Sequence, residues 1–192
     1  MSIPYDKMRV LVVEDHKFTR QLIKEILQNL GCQQSKIIEA EDGESGLIAQ
    51  QETPADLIIC DWQMNPMDGL TLVQKLRDPD NSNNPFVPVI LCSAHTDREL
   101  IQQAVDDGVN EIMAKPISIS ALESRIRMIF EQPRPFVRAK KYFGPDRRRR
   151  SEEVSPVRER RRARRTVIKQ VSEDQKLKSL DALDENADIA DC

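Results

Sequence analysis

Five side chains with complementary chemistry each stand at the end of an apolar burst. Glu14 and Asp15 close "MRVLVV", Asp61 closes "DLIIC", Ser93 closes "VPVILC", and Lys115 follows "EIMA". Carboxylates gathered at one edge repel each other, a cost that a cation removes. Carboxylate and carbonyl oxygens with water are what Mg²⁺ takes as ligands. A hydroxyl and an ammonium beside them suit a group that gains negative charge. A phosphoryl group bridged to Mg²⁺ fits that description, and the Asp61 carboxylate, on a middle strand, could be the nucleophile that accepts it. Taken singly, Glu14 and Asp15 could instead cap the next helix, with Lys115 paired to one of them. Five such residues in register at strand ends favour the phosphoryl reading.

The elements that must position them alternate. "MRVLVVE" (8–14) is the continuous apolar run of a strand buried on both faces. The helix after it places Phe18, Leu22, Ile23, Ile26, Leu27 and Leu30 at helical spacing, with Gly31 where a C-cap would fall. The cycle repeats: strands "KIIEA", "DLIICD", "VPVILC" and "EIMA" alternate with helices over 43–52, 70–77, 97–107 and 118–130. Five β/α repeats predict a doubly wound, five-stranded parallel sheet covered by helices on both faces. Ligands of such sheets bind outside the carboxyl ends of the strands, where the five residues stand.

On these residues, 7–131 resembles the receiver domain of two-component response regulators, especially the single-domain chemotaxis type with its flavodoxin-like fold. The loop "DWQMNPMDG" (61–69) is similar to the family's loop after the acceptor aspartate. The resemblance implies Glu14, Asp15, Asp61 and the backbone carbonyl of Gln63 as Mg²⁺ ligands. It also implies Asp61 as phosphoacceptor, Ser93 as switch hydroxyl, Lys115 as phosphate partner and a histidine kinase as donor. Two departures stand out. Asn65 separates Met64 from Pro66, and Ile112 occupies the place of the family's switch aromatic. An aliphatic chain has no polar tip to swing inward, which implies weak coupling of phosphoryl to the output face, or control of that face by another signal.

The formal net charge of -3 hides segregation: residues 1–133 sum to -9, 134–169 to +11 and 170–192 to -5. In the basic belt 12 of 15 cations are Arg, whereas 1–133 holds 6 Arg and 6 Lys. Guanidinium enrichment points to bidentate phosphate contacts or to stacking on a base. The belt could also fold back on the acidic part of its own chain. The expected division is a receiver over 7–131, a linker over 132–146 carrying "YFGPD", a disordered arginine-rich segment over 147–169, and an acidic tail over 170–192 that is disordered or weakly helical.

"YFGPDRRRR" (142–150) resembles the arginine-rich tail motif of receiver-like effectors of cyclic di-GMP. That resemblance implies a ligand site at Tyr142, Gly144, Pro145, Asp146, Arg147, Arg148, Arg149 and Arg150, with Gly144-Pro145 as a turn joining ring to arginines. The alternative is an adaptor whose basic segment binds nucleic acid or anionic membrane by charge alone. No second domain with a recognition helix is expected, so a DNA-binding output is not favoured. The sequence shows no apolar run of membrane-span length, no signal-peptide core and no C-x-x-C pair, with only two His. These features predict a cytoplasmic chain without zinc, with Cys60 and Cys92 as buried thiols. No nucleophile–base pair beyond the aspartate is seen, so the chain is expected to be a phosphoacceptor switch with output through protein contact, by analogy in chemotaxis or flagellar motor control, rather than an enzyme on an outside substrate.

Overall fold

The computed structural model describes residues 3–94, 97–139 and 142–147, and the backbone of 166–168. Five strands, β1 (Val10–Val13), β2 (Ile37–Ala40), β3 (Leu57–Asp61), β4 (Val89–Ser93) and β5 (Glu111–Ala114), form a parallel sheet in the order β2-β1-β3-β4-β5. Five helices connect and follow them: α1 (Lys17–Asn29), α2 (Gly43–Glu52), α3 (Gly69–Leu76), α4 (Arg98–Asp106) and α5 (Ile119–Glu131). The doubly wound expectation holds.

The unbroken apolar runs have a simple cause. Along β1, Val10 and Val12 enter the core shared with Ile23 and Leu27 of α1 and Leu122 and Ile126 of α5. Leu11 and Val13 enter the opposite core, with Leu72, Val73 and Leu76 of α3. Both faces are dry, so no polar residue alternates. Each large aliphatic side chain buried this way contributes about 1.5–3 kcal/mol relative to exposure. Cys60 and Cys92 lie fully inside these layers, as expected, and burial pushes the Cys92 thiol up to about 12.

Helix α1 is rotated from the expected stripe. Phe18 is 81% exposed and Leu22 42%, while Arg20 is only 7% exposed on the face of Ile23 and Leu27. Apolar spacing alone could not see that a guanidinium would sit on the inner stripe. Gly31 does end the helix with φ of 105°, where a side chain would be strained.

The linker expected over 132–146 is instead a folded hairpin. Strands β6 (Phe136–Ala139) and β7 (Tyr142–Pro145) pair antiparallel, and β8 (Thr166–Ile168) adds to the other edge of β6 in the order β7-β6-β8. Strand β8 also falls inside the stretch expected to lack structure; the rest of 148–192 lies outside the described residues. The hairpin seats on the amino end of the parallel sheet, opposite the strand ends that carry Asp61. Phe136 and Phe143 meet Phe86 with ring centroids 5.2 and 5.3 Å away. Beneath them the buried Arg77 guanidinium donates to the carbonyls of Gly108 and Pro85, both at 3.0 Å, and to Asn110 Oδ1 at 2.8 Å. Arg134 contributes as well, donating to the Asn110 carbonyl and lying 3.6 Å from the buried carboxylate of Glu111.

Gly144 is not in a turn. It lies in β7, paired with Val137 of β6, and a Cβ built on it would lie 2.9 Å from the Gly108 Cα. The hairpin reaches the α4–β5 connection because neither glycine carries a side chain there. Gly144→Ala is therefore expected to destabilise the chain by about 1–3 kcal/mol. Chemical denaturation would read this, with amide exchange rising first in β6 and β7.

Candidate functional site

Parallel pairing aligns the carboxyl ends of β1, β3, β4 and β5, so residues 101 positions apart in sequence meet. Lys115 Nζ lies 2.9 Å from Glu14 Oε2 and 2.9 Å from Asp61 Oδ2. Carboxylate oxygens of Glu14, Asp15 and Asp61 all fall within 4.8 Å of one another. The backbone N–H of Trp62 donates to Asp61 Oδ1 at 2.8 Å and fixes the carboxylate plane. Ser93, nearly buried, ends β4, and its carbonyl accepts from the Lys115 N–H at 2.8 Å. Four of the five sequence-selected residues are thus joined by direct geometry, and Ser93 borders them through the backbone.

The helix-capping alternative does not describe this site. His16 is the N-cap of α1, without a side-chain cap bond, and Glu14 Oε1 accepts only a long 3.3 Å bond from the His16 N–H. Lys115 pairs with two acids, not one.

Electrostatics define what the site can hold. Burial, with the charge of Asp61 beside it, raises the Glu14 carboxyl pKa against the opposing hydrogen bond from Lys115. Burial alone would lower the Lys115 ammonium, but its bonds to Asp61 and Glu14 outweigh that and raise it. Three carboxylates face one ammonium, so two negative charges stay uncompensated among these groups. Asp15 is exposed and forms no ion pair among the described residues. An all-oxygen donor set with that surplus fits a hydrated divalent cation such as Mg²⁺. Gln63 lies exposed in the loop two residues beyond Asp61.

Gly69 makes the loop possible. A Cβ there would collide with the Asp61 carbonyl and approach Cys60 Sγ to 2.9 Å. Its neighbour Asp68 caps α3, accepting from the Thr71 N–H at 2.7 Å. Ile112 is half-buried and packs against the core on the α3 side.

Sequence reasoning missed Arg20. Its Nη1 donates to the Glu14 carbonyl at 2.6 Å, its Nη2 lies 2.7 Å from Glu41 Oε1, and its Nε lies 3.3 Å from Glu39 Oε2. The available signal was a charged residue three positions before Ile23 on the buried stripe.

The arginine-rich motif is placed far from these residues. Tyr142 and the buried Gly144 and Pro145 belong to β7, and the Tyr142 hydroxyl donates to the Pro145 carbonyl at 2.6 Å. The Asp146 N–H donates to the Pro135 carbonyl at 2.8 Å. Arg147 lies with its guanidinium carbon 4.0 Å from the Tyr142 ring centre and pairs with Asp106 at 2.7 Å. Ring and arginine converge as expected, but along one extended segment, with Gly144 and Pro145 inside β7 instead of in a turn. Arg134 and Arg147 show that part of the basic belt folds back on the acidic domain. Arg148, Arg149 and Arg150 lie outside the described residues.

Comparison with known proteins bears on the same region. The family model for the response regulator receiver domain matches residues 10–127. A probable chemotaxis protein CheY of Rhizobium etli is 37% identical over 130 residues, covering 68% of this chain and 97% of the relative. Chemotaxis protein CheY-3 of Vibrio cholerae is 30% identical over 125 residues, covering 65% and 93%. Among solved structures, Vibrio cholerae CheY4 superposes with a TM-score of 0.58 at 26% identity, over 64% of this chain and 98% of that one. The CheY of a CheX–CheY–BeF₃–Mg²⁺ complex from Borrelia burgdorferi gives 0.57 at 27% identity, over 67% and 95%. The family model ends before the hairpin begins.

Proposed function

The chain belongs to the response regulator receiver family, and on that premise we propose that it is a cytoplasmic phosphorelay switch. A histidine kinase donates phosphoryl to Asp61, and the changed surface is read by a protein target. The observation that carries this is Asp61 held between Lys115 at 2.9 Å and the Trp62 N–H at 2.8 Å, inside a three-carboxylate cluster.

The chemistry follows from those contacts. Glu14, Asp15 and Asp61, with the Gln63 carbonyl, would hold a Mg²⁺ ion, which would supply charge neutralisation for the transferred group. An Asp61 carboxylate oxygen attacks phosphorus; the new O–P bond forms as the donor's N–P bond breaks, and the imidazole nitrogen leaves with the electron pair. Lys115 then pairs with a phosphoryl oxygen in place of the carboxylate charge. The Ser93 hydroxyl, at the end of the next strand, donates to another. Water attack on phosphorus cleaves the Asp61 O–P bond and releases phosphate, which resets the switch without an outside substrate. The chemotaxis names of the relatives support a motor or chemotaxis target. The test is incubation of the full chain with a phosphoramidate donor and Mg²⁺; an acyl phosphate mapped to residue 61 supports the reading, and label elsewhere or none ends it.

For the C-terminal segment, the stacked Arg147 and Tyr142 favour a cyclic di-GMP site, because that arginine–aromatic pair could hold a guanine and a phosphate. A bound phosphate would replace Asp106 as the Arg147 partner. Charge-only binding of nucleic acid or anionic membrane is the competing reading. Replacing Arg147, Arg148, Arg149 and Arg150 together by Lys separates the two. Affinity for cyclic di-GMP, read by calorimetry, is expected to fall at least about tenfold, since an ammonium offers neither fork nor stacking plane. A change below about twofold, with polyanions competing equally, favours charge alone.

A further inference from the structure

Arg20 holds a place that salt bridging alone does not explain. It is 7% exposed, and its shortest bond, 2.6 Å, goes to a backbone oxygen, that of Glu14. That carbonyl belongs to the peptide joining Glu14 to Asp15. The other two nitrogens are anchored on the β2 edge, 3.3 Å from Glu39 and 2.7 Å from Glu41. Lys24 holds the second Glu39 oxygen at 2.6 Å, so the anchor itself is braced. On its other side the Glu14 N–H donates to the Ala40 carbonyl at 3.1 Å. Glu14 is thus held through both of its flanking peptides, by Ala40 on the Val13 side and by Arg20 on the Asp15 side, while Asp15 is exposed.

We infer that Arg20 is a positioning residue for the divalent cation: its grip on the Glu14 carbonyl fixes the peptide from which the Glu14 and Asp15 carboxylates diverge. This rests on the receiver reading above. Ligand direction matters because Mg²⁺ demands near-octahedral geometry and tolerates little slack. Residues that orient ligands in this way typically carry 10–100-fold in metal affinity.

The sign of the effect separates positioning from charge. A guanidinium near a cation site repels the cation, so charge alone predicts that Arg20→Gln tightens Mg²⁺ binding. Positioning predicts the reverse. Lysine keeps the charge, yet one ammonium cannot serve three acceptors on two strands.

The experiment is Mg²⁺ titration of the full chain by the fluorescence of Trp62, the only tryptophan, whose N–H touches the Asp61 carboxylate. Unfolding midpoints are taken in chelator alongside. Arg20→Gln and Arg20→Lys are each expected to raise the Mg²⁺ Kd about tenfold. Glu39→Gln, which frees the brace but leaves the carbonyl bond, is expected to raise it less than either. An unchanged or lower Kd in a folded Arg20→Gln or Arg20→Lys chain overturns the inference while leaving the receiver reading intact. Absence of any Mg²⁺ response in the unmodified chain overturns the receiver reading, and this inference with it.

Discussion

Asp61→Asn is expected to remove phosphoryl labelling, by about 10³-fold or more, without lowering the unfolding midpoint of the metal-free chain. The chemical loss has a direct cause. An amide oxygen carries no negative charge, is a poor nucleophile, and gives no stable acyl phosphate. The stability expectation comes from the charge count. Asp61 lies within 4.8 Å of the Glu14 and Asp15 carboxylates, and a single ammonium faces all three. Asparagine keeps the volume, and its carbonyl can still accept from the Trp62 N–H, while the mutual repulsion falls. Lys115 loses one anionic partner but keeps Glu14 at 2.9 Å. Label transfer from a phosphoramidate donor and calorimetric unfolding in chelator check the two halves. A midpoint that drops as the label disappears would mean that the Asp61–Lys115 pair is a structural strut, and the loss of label would then say nothing about the acceptor.

How much of this was legible in the sequence depends on whether the partners were near in pattern or only in space. Strands buried on both faces read as apolar runs, so β1, β3 and β4 declared themselves. Parallel pairing then brought residues at equivalent strand ends together, which is why Asp61 and Lys115 could be matched without coordinates. Arg20 escaped because the stripe was counted from apolar residues, and α1 turns Phe18 outward and a guanidinium inward. The hairpin escaped for a different reason. Phe136, Val137 and Phe143 are few, and they sit among prolines and charges that look like linker. Their receptor, made of Arg77, Phe86, Gly108 and Asn110, comes from two separate connections of the domain, α3–β4 and α4–β5. No local period encodes such a seat. The Arg147–Tyr142 pair was foreseen in its chemistry, but it forms along an extended segment, with Gly144 and Pro145 inside β7 and Arg147 also held by Asp106.

The hairpin seat carries the second large effect, expected at Arg77. Burial draws the guanidinium pKa down to about 10, so it remains a cation at neutral pH. Among the described residues no carboxylate pairs with it directly; it is satisfied by the carbonyls of Pro85 and Gly108 and by Asn110 Oδ1, and the Phe136 ring covers it at 5.2 Å. Arg77→Met preserves much of the stem but leaves the two carbonyls without this donor, at about 1–3 kcal/mol each. Asn110 Oδ1 keeps the Val89 N–H at 3.0 Å, so it is not orphaned. Releasing a desolvated cation returns part of the cost. The net expectation is a loss of about 2–4 kcal/mol by denaturant titration of the full chain, with β6 amides losing protection ahead of β1 and β3. Phe136→Leu, tested with Arg77→Met in a double-mutant cycle, should reveal a coupling of about 0.5–2 kcal/mol from the stacked cation. A loss below about 0.5 kcal/mol for Arg77→Met, the level of an ordinary surface change, would detach the hairpin from the stability of the domain. Retention of Mg²⁺ binding alongside a large loss would place the two ends of the sheet under separate control: metal and phosphoryl at the carboxyl edge, hairpin and arginines at the amino edge.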